Sequence, residues 1–282
     1  MPSVVIAAHN EAAVVGRCLD SLLPPDAPAH GLEVVVVANG CTDRTAEVAR
    51  ARGGVTVLET PRPSKVAALD LGDAAVSTFP RIYLDADIVV TPETVRDLCA
   101  ALSGPGAPLV AVPSRHLELA GRPLVVRAYY AVQRHLPAFE SGLFGRGLVA
   151  LSREGRERFG TFPEQIADDL FLDSLFKTDE RVRLPGLTTS VETPMRTRDL
   201  LDRLSRVRRG NAALRGADLG ARAAVRPADR WSWLRDVVIP RPWLAPAGVV
   251  YAVVTLLAEH RARRTAGATT WGRDESSRQA VA

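Results

Sequence analysis

The sequence predicts an α/β protein built on a mostly parallel sheet flanked by helices, with a helical extension at its C-terminal end. Three observations carry that expectation. The first hundred residues alternate short apolar runs with amphipathic stretches. The connections between them are short, as strand–helix–strand units require. Polar clusters fall at the ends of the apolar runs, where parallel sheets bind ligands.

Taken in order, Ser3–Ala8 (SVVIAA) is a continuous apolar run suited to a strand covered on both faces. Glu11–Leu23 places Val14, Val15, Cys18, Leu19 and Leu22 at helical spacing, and Pro24-Pro25 stops it. Glu33–Ala38 is the second strand, Thr42–Arg52 a helix, and Val55–Glu59 a third strand. Lys65–Val76 reads as a helix, and Arg81–Leu84 as a fourth strand running into Asp85-Ala86-Asp87. Thr91-Pro92-Glu93 opens the next helix, with threonine at the cap and proline in the first turn. Beyond residue 105 the pattern loosens: Leu109–Val112 is a strand, Leu124–Leu136 a helix, Ser141–Gly147 a glycine-rich loop. Phe162–Lys177 is a loop entering a helix, and Leu200–Arg215 a basic helix. Ala217–Asp229 reads as a linker, and Thr265–Ala282 as a polar, disordered tail.

With 46% hydrophobic and 24% charged residues over 282 positions, the chain has the composition of a globular protein. Its net charge is +4, and of its 36 basic residues only Lys65 and Lys177 are lysines. Charge alone does not choose among partners; no zinc spacing, aromatic-rich basic repeat or helix-turn-helix pattern points to nucleic acid, so none is expected. Cys18, Cys41 and Cys99 are widely spaced and odd in number, which suggests neither a disulfide framework nor a zinc site. Val4–Ala8 is too short an apolar run for a signal peptide, so a cytoplasmic location is expected.

Asp85 and Asp87 are two carboxylates one residue apart at a strand end. Such a pair suits one Mg²⁺ or Mn²⁺ ion, which takes one or two carboxylates together with substrate phosphate oxygens. The bland reading is a solvated turn. Position at the sheet mouth favours the first.

Three segments together point further. Val4–Glu11 (VVIAAHNE) resembles the opening strand and A-[YH]-N-E turn of family-2 glycosyltransferases, which have the GT-A, Rossmann-like fold. Val35–Ala46 (VVVANGCTDRTA) resembles that family's second strand and its V-D-[DN]-x-S-x-D-x-T turn, and Asp85-Ala86-Asp87 stands where the family keeps its D-x-D metal motif. The resemblance implies a donor pocket lined by Ala8, Asn10, Glu11 and Asn39, with Glu11 toward the ribose and Asn39 near the base. Asp85 and Asp87 would hold the metal. One departure is Ala38, which replaces the first acidic residue of the second motif and puts base recognition in doubt. Asp43 and Thr45 fit the motif, but capping of the following helix is the favoured account of them.

Pro63–Leu69 resembles the family's G-K-A-x-A-L segment, implying that Lys65 faces the donor's base or phosphates; a solvated surface lysine is the alternative. The family keeps an acidic pair before a helix as its base, which makes Asp169 the candidate general base and Asp168 the alternate. Acidic residues in a first helical turn also simply favour the helix dipole. Gly142–Phe162 resembles the stretch ahead of that base, with Arg146 or Arg153 as a candidate phosphate contact and a surface arginine as the equal alternative for each. Met195–Asn211 resembles a degenerate Q-x-x-R-W segment without its Gln and Trp, a departure that speaks against a processive polymer synthase. There Arg208 takes the arginine position and would clamp the diphosphate; a solvated or lipid-facing basic helix is the equal alternative.

The expected organisation is a glycosyltransferase domain over residues 1–215, with a nucleotide-binding half (1–100) and an acceptor half (101–215). Residues 216–264 form a linker and an amphipathic or membrane-associated segment, and 265–282 the tail. Trp243–Ala258 is sixteen uncharged residues, just short of a span, with arginines on both sides and Trp231, Trp233, Trp243 and Tyr251 nearby. A peripheral contact with the inner face of the membrane, a re-entrant hairpin and a helix packed on the domain all stay open. The function expected is inverting transfer of a sugar from a nucleotide-diphosphate-sugar donor to a carbohydrate, lipid-carrier or small-metabolite acceptor. A sugar nucleotidyltransferase and a nucleotide-sugar-binding protein without catalysis are the alternatives. The first expects a glycine-rich basic loop where His9-Asn10-Glu11 stands.

Overall fold

Valine-rich strands covered on both faces make the centre of the sheet, as continuous apolar runs require. In the computed structural model, which describes residues 1–24, 31–164, 167–217 and 224–264, these are β1 (Ser3–Ala8), β2 (Glu33–Asn39), β3 (Val55–Thr60) and β4 (Arg81–Asp85). They pair in parallel in the order β3-β2-β1-β4. Between them lie α1 (Val15–Leu22), α2 (Thr45–Arg50) and α3 (Lys65–Ala74), and α4 (Pro92–Ala101) follows β4. The apolar stripe of α1, Val15, Cys18, Leu19 and Leu22, is buried. Two of the expected starts are capped as predicted: Ser64 Oγ accepts from Ala67 N on α3, and Thr91 caps α4 ahead of Pro92.

Further along come β5 (Val110–Glu118), α5 (Leu124–Gln133), α6 (Pro137–Ser141), β6 (Leu148–Leu151), α7 (Arg153–Arg156) and α8 (Asp168–Leu175). β7 (Arg181–Glu192), α9 (Thr197–Gly216) and α10 (Ala245–Arg264) complete the described elements. The sheet continues beyond β4 as β6-β5-β7, with β6 antiparallel to both β4 and β5. The expected mostly parallel sheet is therefore mixed at this end. Strand β6 is only four residues long, and β7 carries Pro185-Gly186 and exposed side chains, a composition tolerated at a sheet edge. Neither has a pattern that announces a strand.

Helices α1 and α2 start later than periodicity predicts: Asn10 at φ +53°, with the bonds from Glu11 N to Thr45 Oγ1 and from Thr42 N to the Asn10 side chain, holds the residues ahead of them as loops. The predicted strand at Leu109–Val112 extends to Glu118, and the predicted helix at Leu124–Leu136 ends at Gln133. Trp243–Ala258 falls in a 3₁₀ turn (Pro242–Leu244) and the continuous helix α10, not a hairpin. The predicted tail and most of the predicted linker, 218–223, lie outside the described residues.

The chain divides into two compact units. The first comprises Met1–His116, Arg146–Glu164 and Leu175–Val191. Its buried charge is concentrated on Asp73, which accepts from Tyr83 Oη at 3.0 Å, Arg156 Nε at 2.7 Å and the Arg81 guanidinium. That network ties α3 to β4 and α7, and removing one member would leave buried charge unpaired. The second unit comprises Leu117–Gly145 and the described parts of Gln165–Ser174 and Glu192–Ala282. Its core packs Val126, Tyr129 and Val132 of α5 against Leu200 and Leu201 of α9 and Tyr251, Val254 and Ala258 of α10. Tyr129 and Tyr251 stack with ring centroids 5.0 Å apart.

Candidate active site

Register brings three strand ends level in the first unit. Ala8 pairs with Ala38, and Ala7 with Val37 on one side and Asp85 on the other. The polar residues that follow β1, β2 and β4 therefore leave the sheet along one edge, the carboxyl edge where parallel sheets bind ligands.

The loops after β1 and β2 are stitched together. Asn10 sits at φ +53°, the left-handed region that asparagine tolerates better than most residues. From there its Oδ1 accepts from Thr42 N at 2.7 Å, Thr42 Oγ1 at 3.2 Å and Asp43 N at 3.2 Å. Asp43 Oδ2 accepts from Ala12 N, and its Oδ1 accepts from Thr45 N. Thr45 Oγ1 in turn accepts from Glu11 N at 2.7 Å. The cap residue of α2 is Arg44, without a side-chain cap bond, and Asp43 and Thr45 instead lock one loop to the other. His9 Nδ1 donates to Asn39 O at 2.6 Å, and Cys41 Sγ lies between Asn10 N and Ala8 O.

Glu11 and Asn39 are buried behind this lacework. Asn39 Nδ2 donates to Ala8 O at 2.9 Å, which fixes which way the amide points. Its Oδ1 is enclosed without a hydrogen-bond partner. A buried acceptor left unpaired is costly, and such atoms concentrate where something else is bound.

Ala86, Ile88 and Val90 are buried, which anchors the turn that carries Asp85 and Asp87. Asp85 N donates to Gly147 O at 2.8 Å, and Ile88 N closes the turn onto Asp85 O. Gly147 has φ +69°, and any Cβ there would collide with Ile88 and stand 3.6 Å from Asp85 Oδ2. Only glycine fits for both reasons. Lys65, the first residue of α3, places Nζ 2.8 Å from Asp85 Oδ1. Cys18 of α1 lies close enough to feel the charges of Asp87 and Asp85, and burial together with those charges pushes its thiol up to about 12. Gly147 and Cys18 beside Asp85 and Asp87 were not anticipated, because no local pattern links them to that pair.

Among the described residues no group of three or more His, Cys, Asp or Glu side chains gathers as a metal site. Asp85 and Asp87 fit a Mg²⁺ or Mn²⁺ ion that draws its remaining ligands from phosphate oxygens and water. The same donor set fits Zn²⁺ poorly, since that ion favours His and Cys ligands in closed tetrahedral sites.

The other candidates belong to the second unit. Asp168 and Asp169 form the first turn of α8. Asp169 Oδ2 accepts from Gly145 N at 3.1 Å. One turn on, the buried Asp173 accepts from Leu143 N at 3.0 Å and pairs with Arg226 at 3.4 Å. Two carboxylates at i, i+4 on α8 thus hold the 142–145 loop; Asp173 was missed, although that spacing from Asp169 was visible. Arg208 lies in α9, where its charge reaches the hydroxyls of Tyr129 and Tyr251, and its enclosed Nε has no hydrogen-bond acceptor.

Arg146 and Arg153, each weighed as a phosphate contact or a surface arginine, both belong to the first unit, Arg146 buried and Arg153 exposed. Arg146 is buried, donates to Pro113 O at 3.0 Å, and is drawn down to about 10 by burial and the charge of Arg183. Arg153 lies over the Phe79 ring, 4.3 Å from its centroid.

The sequence model described as Glycosyl transferase family 2 matches residues 3–143, half of the chain. The chain is 32% identical over 108 residues to validoxylamine A glucosyltransferase of Streptomyces hygroscopicus subsp. jinggangensis, covering 36% of this chain and 26% of that protein. It is 31% identical over 113 residues to glycosyltransferase AglE of Haloferax volcanii, covering 38% of this chain and 37% of that protein. In both cases it spans well under half the length of the relative. Among solved structures, the mannosyltransferase PcManGT of Pyrobaculum calidifontis, in complex with GDP-Man and Mn²⁺, superposes with a TM-score of 0.60 at 20% identity. That match covers 93% of this chain and 75% of the other, and it shows the shared fold.

Proposed function

The chain belongs to glycosyl transferase family 2, and on that basis we propose that it moves a sugar from a nucleoside-diphosphate-sugar donor to an acceptor hydroxyl with inversion. The observation that carries the reading is the level carboxyl edge of β1, β2 and β4, which gathers Ala8, Asn10, Glu11, Asn39, Asp85 and Lys65.

Glu11 and Asn39 take the nucleoside end of the donor, with the orphaned Asn39 Oδ1 offering an acceptor to a donor group of the ligand. The lacework from Asn10 to Asp43 and Thr45 holds these two loops in one shape, so their side chains are ordered before the donor arrives. Asp85 and Asp87 hold Mg²⁺ or Mn²⁺, which when bound offsets the charge of the diphosphate leaving group as a Lewis acid. Lys65 supplies a cation beside Asp85, and the enclosed, unsatisfied Nε of Arg208 suits a phosphate oxygen. Asp169 acts as general base, taking the proton of the acceptor hydroxyl as its oxygen attacks the anomeric carbon. Asp168 is the alternate base. The acceptor hydroxyl belongs to a carbohydrate, a lipid carrier or a small metabolite.

Ala38 favours a second reading, binding of a nucleotide sugar without catalysis, because it removes an acidic residue from the end of β2. One experiment separates them. Nucleoside diphosphates and their sugars are screened by thermal shift with and without Mn²⁺, with Asp87→Asn as control, and hits are assayed for donor turnover. Mn²⁺-dependent stabilisation of the parent, lost in Asp87→Asn and accompanied by turnover, is the expected result. Equal stabilisation of both proteins would remove the metal assignment. Stabilisation without turnover of any nucleotide sugar would favour the binding protein.

A further inference from the structure

Helix α10 is apolar on two opposite faces, and only one of them is covered. Gly248, Tyr251, Val254, Ala258 and Ala262 are buried, and the larger of these side chains pack into the core that α10 shares with α5 and α9. On the far side Val249, Val253, Leu256 and Leu257 recur at i, i+4, i+7 and i+8, which is again one helical face. They are open to solvent, Val249 to 64% and Leu256 to 59%. The chain leading into the helix continues the same character, with Ile239 66% and Trp243 73% exposed. A surface helix of a soluble domain carries polar residues on its outward face, and a run of large apolar side chains there marks a binding surface.

Charge says what covers it. From Pro240 to Arg264 the chain holds Arg241, Arg261, Arg263 and Arg264 against the single acid Glu259; Arg263 pairs with Glu259 and Arg261 with Asp202 of α9, so Arg241 and Arg264 remain as the excess, one at each end. The arginines stand at both ends of the apolar stretch. A second copy of this chain docked through the face would set arginine ends against arginine ends, whether the helices ran parallel or antiparallel. An anionic lipid surface has the opposite sign at both ends and an apolar interior between them, and the exposed Trp243 suits the boundary.

We propose that this face of α10 docks flat on an anionic lipid bilayer. The helix lies in the interface and does not cross, because Tyr251, Val254 and Ala258 are committed to the protein core on its other side. Crossing would require that core to open. The proposal stands apart from the reading of the donor site and survives or fails separately from it.

The test is flotation of the full chain with vesicles of phosphatidylcholine alone and of phosphatidylcholine mixed with phosphatidylglycerol. The parent is expected to float with the anionic vesicles, less with neutral ones, and to be released by high salt, since exposed charge is screened. Val253→Glu with Leu256→Glu should lower the bound fraction about tenfold or more by placing two carboxylates in the apolar layer. Arg263→Gln with Arg264→Gln should lower binding to anionic vesicles selectively. All four positions face outward, so circular dichroism and melting temperature should match the parent and separate lost docking from lost folding. The proposal is overturned if the parent floats with neither vesicle, or if Val253→Glu with Leu256→Glu floats like the parent. It is also overturned if light scattering without lipid shows a dimer that those two changes abolish, or if the bound parent resists a high-salt, alkaline wash.

Discussion

Lys65 Nζ lies 2.8 Å from Asp85 Oδ1, so the first residue of α3 and the last residue of β4 form an ion pair at the carboxyl edge of the parallel strands. Both side chains are partly exposed, which keeps the pair weak enough to exchange partners. On the proposed reading, the ammonium competes with a divalent cation for this carboxylate oxygen and offers positive charge to a diphosphate.

Replacing Lys65 with Met should therefore have opposite effects on the two ligands. Affinity for Mn²⁺ alone should rise about two- to fivefold, the equivalent of about 0.5–1 kcal/mol for an exposed pair. Affinity for a nucleoside diphosphate in the presence of Mn²⁺ should fall about tenfold, for loss of a charge-assisted contact. Isothermal titration of each ligand reads both. A fall in both affinities would mean that Lys65 does not compete for Asp85.

Asp169→Asn should lower kcat by about 10²- to 10⁴-fold, the usual contribution of a positioned general base, with donor affinity changed by less than about twofold. The carboxamide oxygen can still accept from Gly145 N, so the 142–145 loop keeps that bond and the variant isolates the chemistry. Asp168→Asn should fall far less. The reverse ranking in steady-state kinetics would move the base to Asp168.

Asn10 combines a left-handed backbone with three accepted hydrogen bonds. Asn10→Gly should lose the bonds and keep the backbone, whereas Asn10→Ala should lose both. Denaturant unfolding should show both variants less stable than the parent. Alanine should be the worse by about 1 kcal/mol, the cost of holding a Cβ in that region. Equal stabilities would show that the turn relaxes.

Glu180 accepts from Arg158 at 2.5 and 2.8 Å and from Lys177 N at 2.7 Å, and above all the Arg158 bonds hold its carboxyl down at about 2, against an ordinary 4.5. A folded-state value below the unfolded one stabilises the fold fully above pH 4.5, and that stabilisation is lost as pH falls toward 2. The parent should accordingly melt above Glu180→Gln at neutral pH, with the gap closing between pH 4.5 and 2. A gap independent of pH would mean the pair acts through packing alone.

Much of the first unit was legible because its determinants are local. Apolar runs such as Ser3–Ala8 and Glu33–Ala38 mark strands covered on both faces, and the turns after them carry their polar residues within a few positions. Arg208 was legible as a position in a pattern, while its setting beside Tyr129 and Tyr251 was not. Strand β7, which carries Pro185-Gly186 and is half exposed, was invisible because an edge strand is defined by its neighbour rather than by its own composition.

By itself, then, the sequence determined the family, the order of the parallel strands' elements and the side chains available at their ends. Those follow from hydrophobic period and short motifs, which act over a turn or a strand. Only the tertiary structure decided that Lys65 meets Asp85, that Gly147 leaves room beside Ile88, that Asp173 joins Asp169 in holding a loop, and that one apolar face of α10 is covered while the other is not. Such pairings join residues far apart in the chain, and they are set by packing and charge in three dimensions rather than by any spacing along it.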